Sequence, residues 1–138
     1  MAFAPVVLAS GDVRVEIVPE RGALVTSLRV AGRELLYLDR ATLDDPSKNV
    51  RGGIPLLFPF AGKLADGRFT LAGTTMKQHG FARDRAWQVT ERDDTTARMT
   101  LAADDATRAL YPYDFTAHHR ALLLPRGLQL ELTLKSYG

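Results

Sequence analysis

Near the end of the chain, Leu128, Leu130, Leu132 and Leu134 alternate without a break with Gln129, Glu131, Thr133 and Lys135. A period of two belongs to an extended strand and not to the 3.6-residue turn of a helix, so this segment is expected to pair within a sheet. Pro125-Arg126-Gly127 before it reads as a reverse turn, because proline presets φ at the second turn position and glycine accepts the backbone angles that close the turn. The run from Tyr113 to Leu124 then supplies the partner strand. Val13, Val15 and Ile17 repeat the alternation against Asp12, Arg14 and Glu16 up to a turn at Pro19-Glu20-Arg21-Gly22. Ala23 to Val30, Ala31-Gly32-Arg33 and Glu34 to Leu38 continue it as a meander. Ala97, Met99, Leu101 and Ala103 alternate again after an Asp93-Asp94-Thr95 turn that closes a hairpin with Ala86 to Glu91. The one helix expected starts at Asp104 or Asp105 as N-cap and runs through Leu110, ending before Pro112 because the residue before proline avoids the helical region. The fold class is all-β, an antiparallel β-sandwich.

At 138 residues, with 46% apolar and 25% charged residues, the chain is long enough to bury one core but not two, so a single domain spanning 1–138 is expected. The absence of Cys excludes a disulfide scaffold, a thiolate metal site and a cysteine nucleophile. Eighteen Lys and Arg against 16 Asp and Glu leave a formal charge of only +2. The basic residues are interleaved with acids, whereas a nucleic-acid surface needs a contiguous basic stripe, so no nucleic-acid partner is expected. Met1 to Ser10 carries no Lys or Arg ahead of its short apolar run and does not read as a signal peptide, and no window is long enough for a membrane span. The expected setting is cytoplasmic.

One stretch breaks the strand pattern. Val50 to Gly62 mixes Ile54, Leu56, Leu57, Phe58 and Phe60 with Pro55, Pro59 and a Gly52-Gly53 pair. Proline inside an apolar run argues against a central strand, and paired glycines let the backbone approach a neighbour closely. Walker A fails at this point, since Gly62-Lys63 is followed by Leu64 and position 57 is Leu. No G-x-G-x-x-G, H-E-x-x-H or G-x-S-x-G occurs.

His118 and His119 are consecutive, so on a strand they face opposite sides and do not share a metal ion. The expectation is one on the outer face and one satisfied inside, with no metal site. Gln78-His79-Gly80-Phe81-Ala82-Arg83 places an amide, an imidazole and a guanidinium in a loop, a set that can bind several hydroxyls or steady a polarised oxygen. A loop tied down by ordinary hydrogen bonds is the equal alternative. Arg51, beside Gly52-Gly53, is read either as a fork for an anion or as a solvated side chain.

Taken together, the run from Arg51 through Lys63, the Gln78 to Arg83 loop, Trp87 and the Tyr111-Pro112-Tyr113-Asp114-Phe115 box resemble the aldose 1-epimerase (galactose mutarotase-like) family. The nearest branch is that of the hexose-6-phosphate mutarotases and LacX-like proteins. The resemblance implies the N-terminal part of a β-supersandwich and an isomerase that interconverts α and β anomers of an aldose or aldose 6-phosphate without a cofactor. In such a reaction one group takes the proton of the C1 hydroxyl while another protonates the ring oxygen, so two groups must hold opposite protonation states.

By resemblance, His79 holds the sugar near its ring oxygen, and Lys63 stands where many members carry a substrate-binding arginine, keeping the charge but not the fork. Arg51 and Arg83 match positions suited to a phosphate. Gln78 belongs to the same loop, and Phe81 is the aromatic placed at the pocket, while Phe58, Phe60, Trp87 and Tyr111 are assigned to the core. The family's catalytic acid histidine, a substrate-binding aspartate and the catalytic base glutamate belong to the C-terminal half of its pattern and have no counterpart here, so no complete catalytic set is expected. Glu131, beside the leucine face, is a poor substitute for the base. The strand that reaches Leu134 shortly before Gly138 reads as the edge of a shortened domain. The chain alone is therefore expected to be a weak or inactive catalyst. Two alternatives accompany this reading: a non-catalytic sugar-binding module, and a half-sandwich that self-associates through the exposed C-terminal strand.

Overall fold

The structure, a computed structural model, describes residues 3–70 and 72–137. Among these residues the chain forms two four-stranded antiparallel sheets and a small two-stranded one. The first sheet takes β1 (Val6–Ser10), β2 (Val13–Val18), β3 (Leu24–Val30) and β4 (Arg33–Glu34) in sequence order. A short helix α1 (Arg40–Asp44) comes next, and β5 (Arg68–Phe69) and β6 (Thr74–Thr75) pair by themselves. The second sheet has the order β10-β9-β8-β7, built from β7 (Gln88–Arg92), β8 (Thr96–Ala102), β9 (Phe115–Leu124) and β10 (Gly127–Ser136), with helix α2 (Asp105–Leu110) between β8 and β9.

Period-two patterning becomes burial directly. Val13, Val15 and Ile17 of β2 and Ala97, Met99 and Leu101 of β8 are buried, as are Ala117, His119 and Ala121 of β9. The apolar ones among them belong to one cluster between the sheets, where β1 contacts β8 and β9, and β2 contacts β9. Phe58, Phe81 and Phe115 extend the same core. Their rings meet at centroid distances of 5.8, 5.0 and 6.1 Å, in edge-on and tilted geometries that the aromatic quadrupole favours. An antiparallel β-sandwich with few helices is the fold.

The hairpins at Asp93–Thr95 and Pro125–Arg126 and helix α2 lie where the sequence places them. Asp104 caps α2 by accepting from Thr107 N at 2.8 Å, while Thr107 Oγ1 accepts from Asp104 N at 2.9 Å. Four elements are additional to the sequence reading: β1, the two-residue strands β5 and β6, and α1, whose five residues are too few to show a helical period.

The strand expected over Glu34 to Leu38 stops at Glu34. Its carboxylate folds back to accept from Ser27 Oγ, from Leu28 N at 2.9 Å and from Leu36 N at 3.2 Å, so a side chain takes donors that a ladder would have used. The satisfied interior histidine is also corrected. His119 is 1% exposed, and neither ring nitrogen has a hydrogen-bond partner among the described residues. His118 lies on the other side of β9 and meets Thr100 Oγ1 at 2.9 Å.

The leucine face of β10 is only partly covered. Leu128 and Leu130 pack against the core, whereas Leu132 and Leu134 are 42% and 49% exposed on the sheet edge. Glu131 on the same strand accepts from Arg120 Nη1 at 2.9 Å and from Gln129 Nε2 at 3.0 Å. No helix among the described residues is long and apolar enough to cross a membrane.

Candidate functional site

The two irregular stretches singled out by sequence lie side by side. Phe58 O accepts from both Phe81 N and Ala82 N, at 2.9 and 3.2 Å, and Phe58 forms a parallel bridge with Gly80. The approach is so close that a Cβ on Gly80 would stand 2.2 Å from Phe58 O, and Gly80 has φ +73°. Only glycine fits there without displacing one of the two segments. Trp87 ties the loop down, its indole Nε1 donating to Ala82 O at 3.0 Å and its backbone N to Pro19 O at 2.9 Å.

His79 is fixed by a reciprocal pair of bonds with Gly62. His79 N donates to Gly62 O at 2.8 Å, and Gly62 N donates to His79 Nδ1 at 2.8 Å. The residue is held at φ +69°, a left-handed conformation rare for a side-chain-bearing residue, and these two bonds offset its cost. Since Nδ1 accepts, the tautomer assigned from this bond carries its proton on Nε2, which is left as the ring's donor. Lys63, next to Gly62, is exposed, as is Gln78, whose carbonyl accepts from Arg83 Nη2 at 3.3 Å.

Arg51 and Arg83 border adjoining depressions. Arg83 lines a cleft with Arg21, Lys48, Asn49, Val50 and Pro55, and Arg51 lines a groove with Asp39, Thr42, Lys48 and Asn49. Lys48 and Asn49 form the wall common to both. Asp84 is drawn off by Lys77, whose Nζ lies 2.8 Å from it and 3.4 Å from Asn49 Oδ1. Arg21, Lys48 and Arg83 thus give this cleft a surplus of positive charge.

Of the six sequence-nominated residues, Lys63, Gln78 and His79 share the Gly62-centred loop pair, and Arg51 and Arg83 share the basic depressions. Phe81 is 5% exposed and packs into the aromatic core, edge-on to Phe58. Arg21, Lys48 and Asn49 were not singled out by sequence. Lys48 and Asn49 stand three and two residues before Arg51, so their proximity to it was legible, but Arg21 comes from a turn 30 residues away. No group of three or more His, Asp or Glu able to hold a metal ion occurs among the described residues.

A sequence model of the aldose 1-epimerase family matches residues 6–137. Over 128 residues the chain is 31% identical to a protein of Escherichia coli (strain K12) described as "Putative glucose-6-phosphate 1-epimerase", a match that takes in 86% of this chain and 38% of that protein. The crystal structure of the Slr1438 protein from Synechocystis sp. PCC 6803 superposes with a TM-score of 0.93 at 36% identity, covering 100% of this chain and 50% of that one. A galactose mutarotase-like protein from Lactobacillus casei ATCC 334 gives a TM-score of 0.82 at 25% identity, over 96% of this chain and 44% of the other. The chain spans half the length of these relatives or less. With both motif loops inside a match that runs almost from end to end, the chain belongs to the aldose 1-epimerase family.

Proposed function

We propose that this chain forms the substrate-holding part of a mutarotase-like site for an aldose 6-phosphate. The observation that carries the reading is the Gly62–His79 pair, which fixes an imidazole through Nδ1 and leaves Nε2 as its donor, with Lys63 the next residue after Gly62. An N–H in that position suits the ring oxygen of a sugar, and the cluster of Lys48, Arg51 and Arg83 suits a phosphate. The likeness to proteins described as "Putative glucose-6-phosphate 1-epimerase" supports the phosphorylated class of substrate.

Ring opening needs a base at the C1 hydroxyl and an acid at the ring oxygen. In this reading His79 orients the sugar and does not itself carry out both transfers, and neither His118 nor His119 replaces the missing acid. His119 is enclosed, and His118 is turned to Thr100 on the far face of β9. Two missing proton-transfer groups, each contributing about 10² to 10⁴ in rate, leave the isolated chain a binder with little turnover.

The test is NMR of glucose 6-phosphate and glucose with the purified chain and with His79→Ala, reading both line broadening and anomer exchange. Broadening of glucose 6-phosphate signals that the substitution abolishes, with exchange at the buffer rate, is the expected result. Exchange well above buffer would overturn the division of labour, and no broadening with either sugar would overturn the site.

A second reading, self-association, is favoured by one observation. Among the described residues the ten-residue strand β10 pairs with β9 alone, and Leu132 and Leu134 on it are half-exposed. A second copy could add its own β10 there, a reading supported if the mass in solution rises with concentration.

A further inference from the structure

The anion-binding part of the site stands on two limbs that are far apart in sequence. One is the 42–51 segment, which carries Lys48 and Arg51; the other is the loop that carries Arg83. The turn at Arg21-Gly22 touches both. Arg21 Nη2 donates to three backbone carbonyls of the first limb: Thr42 O at 2.9 Å, Asp45 O at 3.2 Å and Lys48 O at 2.8 Å. From Thr42 the connection runs on to Arg51. Thr42 Oγ1 accepts from Arg51 N at 2.9 Å and donates to Asp39 O at 2.9 Å, and Asp39 N donates back to Arg51 O at 2.8 Å.

On the other side, Gly22 N donates to Arg85 O at 3.0 Å. A Cβ on Gly22 would stand 2.4 Å from Arg83 Cα, so the turn and the Arg83 backbone are in direct contact. Two consecutive residues therefore bridge the limbs, one through a guanidinium and the other through bare backbone.

Resting on the sugar phosphate reading, we propose that Arg21 is a positioning residue for phosphate recognition, setting the distance between the Lys48–Arg51 limb and Arg83. Its Nη2 is occupied by three carbonyl oxygens, and the brace acts without touching the ligand. A planar donor group suits this task because it holds several acceptors in a fixed arrangement, whereas an unbraced loop would let the cations spread apart. Coulomb attraction to a phosphate dianion falls as the cations separate and as water enters between them. The cost of losing the brace should fall on the phosphorylated ligand and spare the unphosphorylated sugar.

Three variants test this: Arg21→Met, which keeps the apolar stem and removes the donors; Arg21→Lys, which restores charge and donors; and Thr42→Val. The last leaves every formal charge and the Arg21 carbonyl contacts in place, removes the hydroxyl bonds to Arg51 N and Asp39 O, and decides the matter if Arg21→Met does not fold. Dissociation constants for glucose 6-phosphate and glucose are read by NMR titration of the full chain, alongside thermal unfolding.

Arg21→Met and Thr42→Val are each expected to weaken glucose 6-phosphate about tenfold or more while leaving glucose within about twofold, with Arg21→Lys, which keeps donors but not the planar fork, recovering part of the loss. Equal losses for both ligands, or lower thermal stability with an unchanged preference for glucose 6-phosphate, would mean that Arg21 only supports the fold and would overturn the proposal. A wild-type chain that binds neither ligand overturns the sugar phosphate reading and this inference together. A wild-type chain that binds glucose 6-phosphate while Thr42→Val keeps its full preference overturns this inference alone.

Discussion

Burial of His119 between its register partners Met99 and Leu132, edge-on to Trp87 at 6.4 Å, leaves both ring nitrogens without a partner among the described residues. Desolvation pushes the imidazole down from its ordinary 6.5 to about 4. The unfolded chain therefore takes up a proton near pH 6.5 that the folded chain refuses until about pH 4. Stability is complete above this window and is lost as pH falls through it, by roughly 3 kcal/mol at most. His118 is also lowered, by partial burial first and then by Arg98 and Lys135, and adds a slope of the same sign. Urea unfolding of wild type and His119→Phe at pH 7.5 and 4.5 isolates the His119 share. The substituted chain should lose distinctly less stability on acidification, and identical losses would contradict the assignment. A second residue-scale prediction concerns Gly80. Gly80→Ala puts a methyl group onto Phe58 O in a left-handed conformation and should cost about 2 kcal/mol or more. Thermal unfolding checks this, and a shift of less than about a degree would mean that the two loops move apart freely.

At the scale of elements, the sequence revealed what is periodic or punctuated. Strands β2, β8, β9 and β10 were legible because one face of each meets the other sheet or a neighbour, and α2 because Asp104 and Pro112 mark its ends. The end of the meander at Glu34 was not legible, because a carboxylate returning to its own sheet leaves no periodic trace. Helix α1 was hidden because it is too short to show a period, and the Arg21 brace because its carbonyl partners lie 21 to 27 residues away. The His79 loop was legible as chemistry, whereas its hold on Gly62 was not, since the partner is 17 residues away. Strand β10 carries the prediction proper to this scale. If its exposed leucines mediate self-association, Leu132→Lys with Leu134→Lys should return the chain to monomer, as read by analytical ultracentrifugation, at a cost in stability because Leu132 lies across from buried His119. A wild-type chain that stays monomeric at every concentration would remove that reading.

The molecule as a whole is a sandwich whose two sheets share one core and whose irregular loops gather polar and basic side chains on two adjoining parts of its surface. The chain belongs to the aldose 1-epimerase family, and in the reading proposed above its loops hold a sugar phosphate while the proton transfers are left to other groups. The most direct measurement is a map of backbone amide shifts on titrating the isotope-labelled chain with glucose 6-phosphate. The proposed site predicts saturable changes concentrated at Lys48, Asn49, Arg51, Gly62, Lys63, His79 and Arg83, weakened by His79→Ala. Saturable changes confined to other surfaces, or none at any concentration of the sugar phosphate, would contradict it.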